Sequence, residues 1–179
     1  METWKKREET YKGKILSLWT GEVQIETGET FYREIVEHVG GVAIVPVVGD
    51  SVILVRQFRI AVGRSILELP AGKLERGELP EVCAQRELAE EIGYRADNLI
   101  HATTYYASVG FTDEQMHIYL GFGLHQAAQS LDSDEAIEIV PVPIVEIEGR
   151  LARKEFEDAK TIIGLRELLA YLENHPKNH

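Results

Sequence analysis

Short stretches that alternate between apolar and polar residues occupy the first forty positions of the chain. Residues 14–39 contain KILSLW, EVQIET and TFYREIVEHV, separated by two Thr-Gly pairs of the kind found in turns. Alternation with a period of two gives each strand one apolar face. The pattern predicts a small antiparallel β-sheet of about three strands over residues 1–40.

More strongly apolar segments follow over residues 41–179, which we expect to form a second domain. GGVAIVPVV and SVILVRQFRI flank Gly49-Asp50 and predict a hairpin whose strands are largely buried. SILELP, LIHATTYYA, QMHIYLGFG and IEIVPVP predict four further strands, and AGKLERGE reads as a loop. Strands and helices mixed in this order predict an α/β fold, with a mixed sheet sandwiched between helices.

Three helices are predicted within this second domain. Pro80 suits the first position of a helix and Gly93 suits a C-terminal stop, so one helix should run from about 80 to 92. The segment DAKTIIGLRELLAYLEN has apolar residues at helical spacing and should be amphipathic. VPIVEIEGRLARKE predicts a shorter helix between them.

The helix over 80–92 places Glu87, Glu90 and Glu91 in one sector of its surface. Like charges at this spacing repel by a few tenths of a kcal/mol per pair, about 0.2–0.5. One interpretation is a solvated face on which Arg86 pairs with Glu90. The other is a binding site for a cation that offsets the repulsion.

The apolar residues of the same helix favour the second interpretation. They fall on two flanks of the helical wheel, so we expect the helix to be held between other layers and its acidic face to border a partly enclosed cleft. Carboxylate oxygens are the ligands that Mg²⁺ and Mn²⁺ prefer. The two flanks comprise Ala84, Leu88 and Ile92 on one side, and Val82 and Ala89 on the other.

Composition narrows the classes of partner. The formal charge of −11 argues against binding to nucleic acid, whose phosphates require basic surfaces. No apolar run approaches the roughly 20 residues of a membrane span, and the polar N-terminus lacks the apolar core of a signal peptide. A single cysteine, Cys83, excludes an internal disulfide and fits a reducing compartment. These features predict a cytoplasmic protein whose partners include neither membranes nor nucleic acid.

The helix belongs to a longer motif. Gly72, five residues, Glu78, seven residues and then Arg86-Glu-Leu-Ala-Glu-Glu-Ile-Gly-Tyr94 resemble a complete Nudix box, with Tyr94 where an aliphatic residue is usual. The resemblance implies a Nudix-type α/β/α sandwich over 41–179. It also implies hydrolysis of a nucleoside diphosphate linked to another moiety, with Mg²⁺ as the cofactor or Mn²⁺ in its place.

Roles for the box residues follow from this resemblance. Glu90 would be a further metal ligand or the base for water, Arg86 would orient a box glutamate, and Glu78 would support the metal network. Glu68, just before Leu-Pro-Ala-Gly72, is placed to join that network. The positions implied to contact metal are Ala71 (through its carbonyl), Glu87, Glu91, Glu90 and Glu68.

Segments outside the box resemble the bacterial ADP-ribose pyrophosphatase branch of the family. They are the N-terminal sheet, REIVEH, VRQFR, ELPAGKLE and SVGFTDE. The resemblance implies a homodimer in which the N-terminal sheet exchanges with a second subunit and the substrate lies at the interface. The side chains implied to bind the nucleoside diphosphate substrate are Arg33, Arg59 and Glu114, with Phe31, Trp19 or Tyr32 as the flat face for adenine.

Each of these substrate contacts has a structural alternative. Arg33 and Arg59 could be ordinary charges on strand surfaces, and the aromatic residues could be core. Glu68 could be the structural partner of an arginine. The sequence alone leaves these alternatives open.

Two departures from the branch concern the substrate and the base. Val109 stands where the branch has a proline that marks a preference for ADP-ribose, which keeps GDP-mannose and NADH open as substrates. Ser133 stands where the acidic loop usually offers a glutamate as catalytic base, and serine cannot replace a carboxylate in that role. Glu135, Asp134 or Glu90 would have to serve as the base, or the activity would be low. A Nudix module that binds a nucleotide without hydrolysing it is the alternative from a different class.

Overall fold

The computed structural model describes residues 1–129 and 136–176 of the chain. In these ranges it contains ten strands and three helices. The strands are β1 Glu2–Lys12, β2 Leu16–Ile25, β3 Thr30–His38, β4 Gly41–Val48, β5 Ser51–Arg59, β6 Arg64–Glu68, β7 Ala71–Lys73, β8 Tyr94–Tyr106, β9 Gln115–Gln126 and β10 Ile137–Pro143. The helices are α1 Pro80–Ile92, α2 Ile144–Ala152 and α3 Ala159–Asn174.

The chain divides into two compact units. The first comprises residues 1–40 and 105–116, and contains a three-stranded antiparallel sheet in the order β1-β2-β3. The second comprises residues 41–104 and those from 117 onward. Strands β8 and β9 contribute residues to both units.

The N-terminal sheet has three strands, but two details of its prediction are wrong. KILSLW and EVQIET form one continuous strand, β2, and the third strand is β1, which comes from the charged N-terminus. Gly21 lies inside β2, paired with Arg7 of β1 and Arg33 of β3. A Cβ at Gly21 would lie 2.0 Å from the carbonyl oxygen of Lys6, so glycine allows the close approach of β1 here. It does not form a turn.

The second unit is built on a mixed sheet in the order β10-β5-β4-β9-β8, with β6 paired to β5 and β7 paired to β4. Helices α1 and α3 both pack on β4, and α1 also packs on β7. The predicted hairpin at Gly49-Asp50 is confirmed by the pairing of Val48 with Ser51. Strand β7 lies within the stretch that was predicted to be entirely loop, and it connects the core sheet to α1.

Helix α1 has the predicted bounds. Pro80 is its first residue, and Gly93 ends it with a φ of 70° while its N–H donates to carbonyls of the last turn. The prediction of two covered apolar flanks is wrong, because Val82 is 55% exposed. The helix buries one face, and that face includes Glu87 and Glu91 beside the apolar residues Cys83, Ala84, Leu88 and Ile92.

No helix in the described part of the chain is long and apolar enough to cross a bilayer.

Candidate active site

Arg86 is the centre of a cluster of charged side chains on α1. Its Nε and Nη2 donate to the two oxygens of Glu78 at 2.9 and 3.0 Å. Its Nη1 donates to Oε1 of Glu87 at 2.7 Å and to Oε2 of Glu90 at 2.9 Å, and Nη2 also reaches the carbonyl of Lys73 at 3.2 Å. Only arginine offers donors in a planar fork that can hold three carboxylates at once.

The hydrogen bond from Arg86 lowers the pKa of Glu78 to about 2, and the same bond raises the pKa of Arg86. Glu78 therefore stays ionised at pH values well below the usual range of a carboxyl group, and Arg86 stays protonated. Glu78 thus holds the arginine that holds Glu87 and Glu90, and its predicted support of a metal network stays a prediction.

Glu87 lies directly against the backbone of Gly72. A Cβ at position 72 would fall 1.7 Å from Oε1 and 1.8 Å from Cδ of Glu87, which no real pair of atoms tolerates. The missing side chain of Gly72 is thus the space that the Glu87 carboxylate occupies. Glu87 is only 8% exposed.

Glu91 is held by the same strand, β7. Its Oε2 accepts the backbone N–H of Ala71 at 3.0 Å, and the side-chain amide of Gln129 donates to its backbone carbonyl at 2.7 Å. Glu91 is 3% exposed. Two residues of strand β7, Ala71 and Gly72, therefore position both buried glutamates of α1.

The donor set fits a hard divalent cation. Glu78, Glu87 and Glu90 share one arginine, and Glu91 adds a fourth carboxylate on the same helix, so the cluster has an excess of negative charge. Its oxygens are those that Mg²⁺ and Mn²⁺ prefer. Among the described residues, no three acidic, histidine or cysteine side chains are already drawn together as a ligand set. Arg86 holds Glu87 and Glu90, and a cation would compete with it for these two carboxylates.

Glu68 and Arg59 form a bidentate pair in the second unit. Nε of Arg59 donates to Oε1 of Glu68 at 2.7 Å, and Nη2 donates to Oε2 at 3.0 Å. Nζ of Lys160 also donates to Oε2 of Glu68. Glu68 therefore has the arginine partner that the structural alternative predicted. Its membership of the metal network stays a prediction.

Lys160 and its neighbour Thr161 are not among the residues that the sequence predicted for the site. Both lie in the first turn of α3, whose N-cap Asp158 accepts the N–H of Thr161 at 3.0 Å. An Asp three residues before a Thr at the start of an amphipathic helix is a capping signal that could have located this turn. Nothing in the local pattern indicated that Lys160 meets Glu68.

The remaining candidates for substrate binding lie in the first unit. Arg33 donates to both oxygens of Glu2 through Nε and Nη2, at 3.1 and 2.5 Å. The ring of Trp19 is covered by the guanidinium of Arg7, 3.8 Å from its centroid, while Phe31 is 43% exposed. Phe31 is therefore the more accessible of these two aromatic rings.

Glu114 is brought to β3 by the segment over residues 108–114. The N–H of Val36 donates to the carbonyl of Phe111 at 2.7 Å, and the N–H of His38 donates to Oδ1 of Asp113 at 2.9 Å. Oε1 of Glu114 lies 3.5 Å from Nδ1 of His38. Glu135, with Asp132, Ser133 and Asp134, lies outside the described residues.

Cys83 is fully buried on the core-facing side of α1, and its Sγ donates to the carbonyl of Lys73 at 3.4 Å. Burial raises the pKa of its thiol to about 12. Cys83 therefore acts as a small apolar residue of the core.

We therefore expect Cys83 to resist alkylation by iodoacetamide at pH 8–9 in the native protein and to react once in denaturant, as measured by intact mass. An unfolded thiol loses its proton near pH ~8.5 while the native thiol keeps it, so the free energy of unfolding should fall as pH rises above that value. Alkylation of the native protein at the rate of the unfolded chain would contradict the burial of this thiol.

Comparison with known proteins places these features in one family. A family model described as NUDIX domain matches residues 37–163. An ADP-ribose pyrophosphatase of Bacillus subtilis (strain 168) is 39% identical over 165 residues, which cover 90% of this chain and 89% of that protein. A methanol dehydrogenase activator of Bacillus methanolicus is 36% identical over 166 residues, covering 91% of this chain and 90% of that protein.

The fold also resembles that of a solved structure. The crystal structure of an ADP compounds hydrolase superposes with a TM-score of 0.87 at 22% identity, covering 97% of this chain and 95% of that one. The predicted α/β sandwich with a small N-terminal sheet is confirmed by this likeness.

Proposed function

This chain belongs to the Nudix family of pyrophosphatase hydrolases, and we propose that it hydrolyses the pyrophosphate bond of ADP-ribose or a similar nucleoside diphosphate sugar. The products would be AMP and a sugar phosphate, and the cofactor Mg²⁺, with Mn²⁺ as a substitute. The observation that carries the proposal is the pair of buried glutamates on α1, Glu87 and Glu91, held by Gly72 and by the N–H of Ala71.

The acidic cluster would hold the divalent cations. When bound, these would neutralise charge on the pyrophosphate and make a water more acidic. We assign ligand roles to Glu87, Glu91, Glu90 and the carbonyl of Ala71. Because Glu87 and Glu91 are buried and fixed by backbone contacts, little reorganisation is needed to present their oxygens.

Arg86 would hold Glu87 and Glu90 in position before a cation binds. Its fork holds Glu87 and Glu90 through one nitrogen, so releasing that nitrogen frees an oxygen on each. Glu90 is the more exposed of the two and is our candidate for receiving the proton of the attacking water, with Glu135 as the other. Arg59 would stabilise charge on the phosphate that leaves.

Residues of the first unit are proposed to recognise the remainder of the substrate. Arg33 and Glu114 would contact ribose or phosphate, and Phe31 or Trp19 would stack on adenine.

We propose a homodimer formed through residues 14–39, supported by the exposure of every residue of the adjoining strand β1. A monomer at micromolar concentration in sedimentation would oppose this assembly. Residence in the cytoplasm, and partners that include neither nucleic acid nor membranes, stay predictions.

A second candidate is hydrolysis of another nucleotide sugar or of a dinucleotide, such as GDP-mannose or NADH. It is favoured by Val109, which replaces the proline that marks ADP-ribose preference and whose side chain is 82% exposed. An exposed valine imposes less backbone restriction than proline on the segment that carries Glu114.

The test is a product assay with Mg²⁺ and a panel of ADP-ribose, GDP-mannose, NADH, diadenosine polyphosphates and 8-oxo-dGTP. We expect preferential release of AMP and ribose 5-phosphate from ADP-ribose. Faster turnover of GDP-mannose or NADH would favour the second candidate. Metal-dependent binding without any product over hours would indicate a nucleotide-sensing module.

A further inference from the structure

Lys160 alters the electrostatic balance around Arg59. Two cations, Arg59 and Lys160, share the carboxylate of Glu68, and Nζ of Lys160 also lies 3.0 Å from Oδ1 of Asp158. If Lys160 were neutral, the carboxylates of Glu68 and Asp158 would face the guanidinium alone. Lys160 therefore prevents this group of side chains from becoming net negative.

The position of Lys160 is fixed by its neighbour. Thr161 is fully buried, and its Oγ1 accepts the backbone N–H of Leu69 at 2.9 Å while donating to Oδ2 of Asp158 at 2.5 Å. Leu69 directly follows Glu68. The first turn of α3 is thus hydrogen-bonded to Glu68, the last residue of β6, and to Leu69, which follows it. The backbone that carries Lys160 is therefore held beside the backbone that carries Glu68.

Arg59 keeps part of its guanidinium available. Among the described residues, its side-chain hydrogen bonds use Nε and Nη2, both directed to Glu68, while Nη1 makes none. Its side chain is 41% exposed. The bond to Glu68 is the main reason that its pKa is raised, and the charge of Glu91 contributes, so Arg59 lies within electrostatic reach of the acidic cluster.

We propose that Lys160 is a positioning residue for the reaction. It offsets the charge of Glu68, so that Glu68 can orient Arg59 without cancelling its attraction for an anionic pyrophosphate group. In this proposal Glu68 pairs with Arg59 and Lys160, and the glutamates of α1 are the metal ligands. The inference rests on the proposed function, because it assigns the anion that Arg59 attracts to the substrate's pyrophosphate.

The test compares Lys160→Gln and Lys160→Met, which remove the charge, with Lys160→Arg, which keeps it. Loss of one positive charge near the anion should raise KM for ADP-ribose about 3- to 10-fold with a smaller change in kcat, and Lys160→Arg should restore KM. The difference should shrink in about 1 M KCl, where the Debye length is about 3 Å. A merely structural role would not give this dependence on salt.

Arg166→Met is the matched control, since it removes one positive charge from an exposed position on the same helix. We expect its KM to match that of the unaltered protein. Lys160→Gln keeps an N–H donor for Glu68 and guards against loss of folding in Lys160→Met, and thermal unfolding of each variant verifies this. Unchanged KM in a folded neutral variant, or an equal rise in Arg166→Met, would overturn the proposal.

A binding measurement separates this inference from the proposed function. Calorimetric titration with inorganic pyrophosphate and Mg²⁺ should give a Kd about 3- to 10-fold weaker in Lys160→Gln than in the unaltered chain. If Lys160→Gln binds pyrophosphate more weakly but the unaltered chain hydrolyses none of the substrates, the proposed function is refuted. The contribution of Lys160 to anion binding is then retained. Equal affinity in the two proteins would refute the role of Lys160 even if ADP-ribose is hydrolysed.

Discussion

Replacing Glu91 by Gln is expected to lower kcat for ADP-ribose by about 10³-fold, within a range of about 10²–10⁴. The amide has the same size as the carboxylate and can still accept the N–H of Ala71 through its oxygen. It has lost the negative charge that attracts a divalent cation. The loss should therefore appear in turnover rather than in folding, and steady-state kinetics over a range of Mg²⁺ concentrations measures it.

Glu81→Gln is the control for this variant. Glu81 lies in the first turn of the same helix, where it is exposed. The substitution removes the same charge from α1 at a site away from the acidic cluster, so kcat should be unchanged. Turnover by Glu91→Gln equal to that of the unaltered chain would remove Glu91 from the metal site.

Replacing Gly72 by Ala is expected to reduce kcat by about 10²-fold or more, since a displacement of about 1 Å in a catalytic group can cost that much. The new Cβ would lie 1.7 Å from Oε1 of Glu87, so the carboxylate must leave its position. Kinetics and thermal unfolding measured together will show whether activity falls further than stability does.

Gly149→Ala provides the comparison for Gly72→Ala. Its Cβ would meet Nη1 of Arg153 at 3.2 Å, and that atom is the end of a flexible side chain that can move away. Alanine also favours the helical conformation of α2 more than glycine does. Activity should be retained in Gly149→Ala. Full activity in Gly72→Ala would mean that the position of Glu87 against β7 is not required.

The sequence determined those features of the protein that depend on neighbouring residues. Helix α1 was predicted with its bounds, because a proline at the first position and a glycine able to adopt positive φ are local signals. The spacing from Gly72 to the glutamates identified the acidic cluster and the family to which the chain belongs. The hairpin at Gly49-Asp50 was likewise encoded within ten residues on either side.

Only the tertiary structure decided which of these residues meet distant ones. Glu68 and Lys160 are 92 positions apart, so the local sequence around either residue could not predict the other as its partner. The pair Thr20-Gly21 was predicted to form a turn, but it lies within strand β2. Glycine is needed there because β1 approaches Gly21 closely enough to exclude a side chain. Hydrophobicity predicted a buried Val82, whereas the fold exposes it and buries Glu87 and Glu91, because β7 supplies the backbone contacts that these carboxylates need. Local periodicity specifies an element, but the burial and partners of its side chains depend on the segments that pack against it.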